Sequence, residues 1–472
     1  AKPKLALAPS NGGAGARGRD REAGTASSAT GAAVREGIPE KLGEGIREQG
    51  GPRRMTPRSW TPVRALVWAL AVVAAIPSLA AESRRLADGW EYHQGSLGSI
   101  WEAWRGDRAS DNVTWTAVTL PHCFNIRDAV DPDVRYYQGP GWYRTRLAVG
   151  EAKPNGRLLL RFDGAGQSAQ VFIGLDAIAG HVGGYDEWTV DVTVRLAVRC
   201  DNSRDAETIP SDLSDFTRYG GLYRHVTLHR VPDVSLERVH LLPRAMGDGW
   251  TVGVRARLHN PVGHADDLTV SIEVRDPDGA VVHAGAPSLP AWKGDRTIVD
   301  VPIPSPRLWS PKAPNLYECR VRLSSRHGEH VLVERFGLRT FEWVEHGPFK
   351  LNGERLLLRG THYHEDHAGA AAAVPDDVVR RTLRQIKEMG ANFVRLGHYQ
   401  QAPLVLDLCD ELGLLVWEEI PWCRGGLGGE RYRDQCRGML RSLVDQHFNH
   451  PSVILWGLGN ENDWPGDFPE FD

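Results

Sequence analysis

The spacing of apolar residues changes near Pro348, and the change separates two kinds of architecture. Over residues 90–231, short β-rich runs at 141–145, 158–162, 170–173, 188–198 and 222–228 alternate with turn residues, and no helical period interrupts them. This pattern predicts an antiparallel double sheet of the jelly-roll kind over residues 81–232. Residues 233–341 repeat it in a shorter block, with a hairpin signal at Asp278-Gly279 and a Pro-rich stretch from Pro302 to Pro314. About a hundred residues of such strands predict an immunoglobulin-like sandwich.

After Pro348 strands alternate with helices. A strand over 355–359 leads to a helix opening at Pro375-Asp376, with Val379, Leu383 and Ile386 on one face and Gly390 as terminator. A strand over 392–396 precedes a helix with Pro403 near its start, Leu404, Leu408 and Leu412 at four-residue spacing, and Gly413 at its end. A strand over 414–417 follows, then a helix presenting Cys436, Leu440, Leu443, Val444 and His447 on one side and ending at His450-Pro451, then a strand over 453–458. Apolar strands separated by amphipathic helices predict a parallel sheet buried on both faces. A closed (β/α)8 TIM barrel needs about 250 residues, so residues 342–472 read as its first half and the chain as a fragment. The expected fold class is multidomain β plus α/β: jelly-roll sandwich, immunoglobulin-like sandwich, half barrel.

The amino-terminal segment follows neither pattern. Residues 1–54 contain no Phe, Trp or Tyr and no apolar period, and are expected to be disordered. Met55 is the first methionine; Arg58 and Arg64, an apolar run over 65–76, and small residues at Ser78 and Ala80 predict a signal peptide over 55–80. The run is too short for stable membrane insertion, so the expectation is a periplasmic or secreted protein translated from Met55, with 1–54 as upstream read-through. The six cysteines are scattered without a CxxC pair, which reads as buried small hydrophobes and no zinc site. A net charge of -4 leaves no basic field for phosphate backbones, and nucleic acid is excluded as a partner.

In a βα barrel the reactive groups sit at the carboxyl ends of the strands. Here each predicted strand runs into polar residues: 360–367 after the first, with His362, His364, Glu365, Asp366 and His367; Arg395 and His398 around the end of the second; Glu418 and Glu419 after the third; Asn460, Glu461, Asn462 and Asp463 after the fourth. Four polar clusters in register predict a common rim. Glu461, after the longest apolar strand and flanked by Trp456, Gly457 and Gly459, is expected to be partly desolvated with a raised pKa, as a general acid for glycosidic oxygen requires. Asn460 beside it is placed to bond a sugar hydroxyl.

These stretches resemble glycoside hydrolase family 2, the β-galactosidases, β-glucuronidases and β-mannosidases. Residues 449–461, ending Gly459-Asn460-Glu461, resemble the family's acid/base signature, and 392–399 with 409–414 resemble its other signature, with Gln400 where proline is usual. Residues 359–366 are similar to the first barrel strand, 120–122, 141–144 and 215–224 to the amino-terminal sugar-binding domain, and 307–311, 316–317 and 336–339 to the immunoglobulin-like domain and its exit into the barrel. The resemblance implies a retaining exo-β-glycosidase acting on a glycoside or oligosaccharide, with Glu461 as acid/base and Asn460, His364, Arg395, His398 and Asp215 as substrate-binding residues. It places the nucleophile on the seventh barrel strand, beyond Asp472, so the fragment is expected to be inactive. A family metal position aligns with Glu419 without its companion ligands, so no metal and no cofactor are expected. The contexts around His364 and Glu461 point to β-galactosides first and β-glucuronides second.

Two other readings compete. His362-x-His364 at a first strand end also suits metal-dependent amidohydrolases, which explains neither Asn460-Glu461 nor the two leading sandwiches. A non-catalytic carbohydrate-binding remnant keeps the sandwiches and the rim without turnover. Oligomeric state is open, self-association included.

Overall fold

A computed structural model describes residues 82–462 except 106–112, 148–155, 193–194, 212, 248 and 425–428. The expected disordered segment 1–54 and signal peptide 55–80 lie outside the described residues, as does Asp463. No described helix is long and apolar enough to cross a membrane.

The first sandwich pairs a six-stranded antiparallel sheet, centred on Pro140–Arg146 and Arg195–Asp201, with a four-stranded one in which Val226–Pro232 and Gly156–Phe162 are central. Strict alternation turns Leu196, Val198 and Cys200 inward, where they are completely buried with Leu160, Phe162 and Val171. The run expected as one strand over 188–198 is two: Trp188–Asp191 pairs with Gly156–Phe162 in one sheet, and Arg195–Asp201 joins the other. The run expected over 222–228 divides likewise, Gly221–Leu222 pairing with His122–Cys123 while Val226–Pro232 joins the four-stranded sheet. In both cases continuous β propensity masks a chain crossing between layers.

In the second sandwich a three-stranded sheet (Ser235–Met246, Gly249–His259, Gly294–Ile303) packs on one built around Asp267–Arg275, Tyr317–Ser325 and Gly328–Phe336. Val252, Val254 and Ala256 from the first meet Val270, Ile272, Val274 and Val321 from the second in one core. Asp278-Gly279 makes the expected turn, with Gly279 at φ +86°.

Beyond it, four parallel strands lie in sequence order: Gly360–Tyr363, Phe393–Leu396, Leu415–Glu419 and Val453–Gly457. The helices between them are α1 (Asp376–Glu388), α2 (Pro403–Leu412) and α3 (Glu430–Gln446). α1 buries Val379, Leu383 and Ile386 as its period requires. α2 begins on Pro403 and ends at Gly413, whose φ of +65° is the left-handed cap that glycine favours. α3 ends at Gln446, before the expected stop at His450-Pro451, because His447 leaves the helix as its cap with its ring against Glu418.

The expected first strand over 355–359 is misplaced. Glu354–Arg355 closes a hairpin with Phe349–Leu351, and the barrel strand starts at Gly360. The apolar signal came from Leu356 and Leu358, which pack with Trp309, Phe349 and Ile454 in a cluster joining the second sandwich to the barrel. Trp309 belongs to that seam, and its indole donates to the Asp410 carbonyl at 2.9 Å.

Asp410 also ties α2 to the fourth strand. Its carboxylate accepts from Ser452 N at 3.0 Å and lies 2.6 Å from His450 Nδ1. Burial alone would make His450 less basic, but the Asp410 charge and hydrogen bond outweigh it and bring the imidazole up to about 9. A histidine whose folded pKa is raised stabilises fully below its unfolded value near 6.5 and loses that contribution as pH rises through about 9. The unfolding free energy from chemical denaturation should therefore fall across that window by on the order of 3 kcal/mol, and Asp410→Asn should flatten the fall; an equal slope in both proteins contradicts the assignment.

Candidate active site

Parallel register places Tyr363, Leu396, Glu418 and Trp456 side by side, so residues at and just past these positions share one rim. Alternation then decides which of two adjacent glutamates faces it. Glu418 turns toward the helices, its carboxylate 2.7 Å from His447 Nδ1 and accepting from Gln401 N at 3.2 Å. Glu419 turns to the opposite face, where Arg395 Nη2 donates to both its oxygens at 3.0 and 3.1 Å and His398 Nδ1 lies 2.6 Å away. Both glutamates are fully buried and lie within the third strand rather than after it.

Arg395 is the hub. The same Nη2 donates to Asn460 Oδ1 at 2.8 Å, and the guanidinium lies 4.3 Å from the Trp417 ring centre. The second, third and fourth strand ends are thus joined through one cation. His362, His364 and His398 stand against this group with ring centres 4.7, 4.8 and 5.2 Å apart. Burial, followed by its histidine neighbours, brings His362 down to about 4, and burial followed by His398 lowers His364.

The first sandwich supplies the other wall. Arg224 donates to Glu365 from Nε at 3.1 Å and Nη2 at 2.8 Å, and from Nη2 to the Gln400 carbonyl at 2.8 Å. Glu365 also accepts from Ala402 N at 2.8 Å. Gln400, the departure from proline, uses its side chain to reach Gln446 at 2.6 Å, tying this loop to α3. The clamp brings the 215–219 loop over the rim: Phe216 packs 6.2 Å from His364 and 6.3 Å from His398, and Tyr219 donates to Asp366 at 3.2 Å.

Five of the six expected site residues, Asn460, His364, Arg395, His398 and Asp215, therefore converge with Glu461, but Glu461 departs from expectation in its surroundings. Its side chain is 53% exposed rather than desolvated, and Arg424 donates to it at 2.7 Å. Arg424 also reaches Asp215 at 2.9 Å, so one arginine bridges the sandwich carboxylate and the rim glutamate. Glu461 sits at φ +52°, and Gly459 before it leaves room for Asn462 and the Trp422 carbonyl, which a Cβ would meet at 2.1 and 2.5 Å. Arg424 went unnoticed in the sequence because it follows the third strand in a stretch without any recognisable pattern. Arg224 and Glu365 lay inside quoted stretches, but only contact reveals their partnership. All six cysteines are buried and unbridged, as expected of small core residues; Cys423 donates to Asp215 at 3.3 Å.

Residues 343–470 match the family description "Glycosyl hydrolases family 2, TIM barrel domain", and residues 234–339 match "Glycosyl hydrolases family 2". A solved β-glucuronidase of Parabacteroides merdae is 49% identical, with a TM-score of 0.79 over 83% of this chain and 53% of its own. A curated β-glucuronidase of Bacteroides fragilis is 30% identical over 75% of this chain and 54% of itself, and a β-galactosidase of Thermoanaerobacter pseudethanolicus is 29% identical over 74% and 48%. The chain spans about half the length of the curated relatives it matches. These matches leave the amidohydrolase reading without support.

A side chain at Gly397 would displace the His362 ring, because its Cβ would fall on His362 Nε2. Gly397→Ala should destabilise the protein by ~1–3 kcal/mol through overpacking, measured by urea denaturation, and His362→Ala in the same background should recover most of the loss. Failure of that rescue would show that the ring is not what the methyl group strikes.

Proposed function

The chain belongs to glycoside hydrolase family 2, and we propose that the activity it serves is retaining hydrolysis of terminal β-linked sugars. The observation that carries this reading is the Arg395 hub, which fixes Asn460 next to the histidine wall, while Arg424 holds the neighbouring Glu461 against Asp215 of the overlying loop. Glu461 protonates the glycosidic oxygen as a carboxylate attacks the anomeric carbon, and then removes a proton from water as the glycosyl-enzyme is hydrolysed. Asn460, its Oδ1 held by Arg395, directs its amide toward a sugar hydroxyl; the Cys423 sulfur at 3.5 Å is a weak competitor for that donor. His364, His398 and Asp215 line the sugar position, and Arg395 fixes the rim around it.

Retention needs a second carboxylate about 5–5.5 Å from the first. Glu418 and Glu419 are committed to His447, Gln401, Arg395 and His398, and we assign neither that role. The nucleophile is proposed to lie outside the described residues, so that residues 82–462 bind sugar without turning it over. A non-catalytic carbohydrate-binding role is the alternative, and it predicts binding without turnover even when the whole barrel is present.

For the sugar, we propose a β-glucuronide, supported by the names of the relatives at 49% and 30% identity. β-Galactosides are the second reading, supported by the relative at 29% identity. Export is proposed on the composition of residues 55–80 alone.

In a protein carrying the whole barrel, Glu461→Gln should nearly abolish cleavage of glycosides with poor leaving groups. It should spare activated aryl glycosides far more, because these need little protonation. Steady-state kinetics on both substrate types tests this; equal loss on the two contradicts Glu461 as the acid.

A further inference from the structure

The hydrolytic reading makes no use of His362, although its ring stands against two of the residues assigned to the sugar. We propose that His362, His364 and His398 form a tripod that takes up one divalent ion of the zinc class and that this ion occupies the position of the sugar.

Three features support the tripod. The first is distance: with metal–nitrogen bonds of about 2.0–2.1 Å, three imidazoles on one tetrahedral ion have ring centres ~5 Å apart. The observed separations are 4.7, 4.8 and 5.2 Å. The three candidate ligand atoms already lie within 4.8 Å of one another, so modest ring rotations complete the site. The second is orientation. His398 Nδ1 lies 2.6 Å from the fully buried carboxylate of Glu419; the tautomer that donates its Nδ1–H to that carboxylate leaves Nε2 as the free lone pair. A carboxylate behind a ligating histidine is the usual support of a metal-bound imidazole. The third is charge. Arg395, 3.3 Å from His398 Nδ1, is paired with both oxygens of Glu419, and Asp366 adds negative charge near His364.

Imidazole ligands select zinc, copper, nickel and cobalt over magnesium and calcium. Three ligands leave a fourth position open to water or a sugar hydroxyl. The tripod stands on geometry alone, whereas the exclusion of sugar rests on the proposed function, because His364 and His398 are then shared. Its consequence is reversible inhibition by zinc-class ions, competitive with the glycoside.

Cobalt(II) is the probe. Titrated into the purified chain, it should give the visible bands of a tetrahedral ion at one equivalent. His362→Ala and the more conservative His362→Asn should each weaken binding by at least ~10-fold, with circular dichroism confirming that they fold. His367→Ala, a nearby exposed histidine outside the tripod, should bind cobalt as the parent does. Unchanged affinity in both His362 variants, or binding without tetrahedral bands, overturns the tripod. Glucuronate and galactose, whose own binding is followed by calorimetry, should weaken cobalt binding. A sugar that binds while leaving cobalt affinity untouched overturns the shared position. Cobalt binding with neither sugar bound upholds the tripod and counts against the glycosidase reading instead.

Discussion

A guanidinium and a carboxylate that are both almost inaccessible to water hold the site together. Arg224 belongs to the first sandwich and Glu365 to the end of the first barrel strand, and neither charge is tolerable in that interior without the other. Their bidentate contact also fixes the Gln400 carbonyl and the Ala402 amide. The loop following the second strand, including His398 and Tyr399, is therefore anchored from outside the barrel. Tyr399 stacks on Tyr185 of the sandwich at 4.2 Å, and its hydroxyl accepts a hydrogen bond from the Glu365 backbone amide at 3.1 Å. The wall of the rim is thus built from two domains, and the sandwich acts as part of the candidate site.

The second organising constraint is the two-residue period of the strands. It sends Glu418 and Glu419 to opposite sides of one strand, one to lock α3 through His447 and the other to gather Arg395 and His398. A one-residue shift would exchange those roles and leave a buried carboxylate without a cation. The rim is therefore set by the same hydrophobic register that builds the parallel sheet.

How far the sequence announced this arrangement depended on how local each cause is. Pro403 and Gly413 mark the ends of α2 because capping depends only on neighbouring backbone, and Asp278-Gly279 marks its turn for the same reason. The first barrel strand was placed too early because Leu356 and Leu358 carry a strand-like alternation but bury it against Trp309 across a domain seam. Successive strand ends at Tyr363, Leu396, Glu419 and Gly457 could be expected to meet once the parallel sheet was recognised, so most of the rim was legible. The surroundings of Glu461 were not: its exposure follows from the position of the fourth strand end and from Arg424, which approaches from another loop. Partnerships such as Arg224 with Glu365 and Arg424 with Asp215 join residues 141 and about 210 positions apart, and no spacing rule predicts them.

The claim that the sandwich and the barrel end form one unit through their buried ion pair is tested most directly by a double-mutant cycle in chemical denaturation. Arg224→Met and Glu365→Leu should each cost ~3–5 kcal/mol by leaving one buried charge unpaired, and the double substitution should recover most of that loss. Single losses that simply add in the double mutant would contradict the account, because the two charges would then be acting independently.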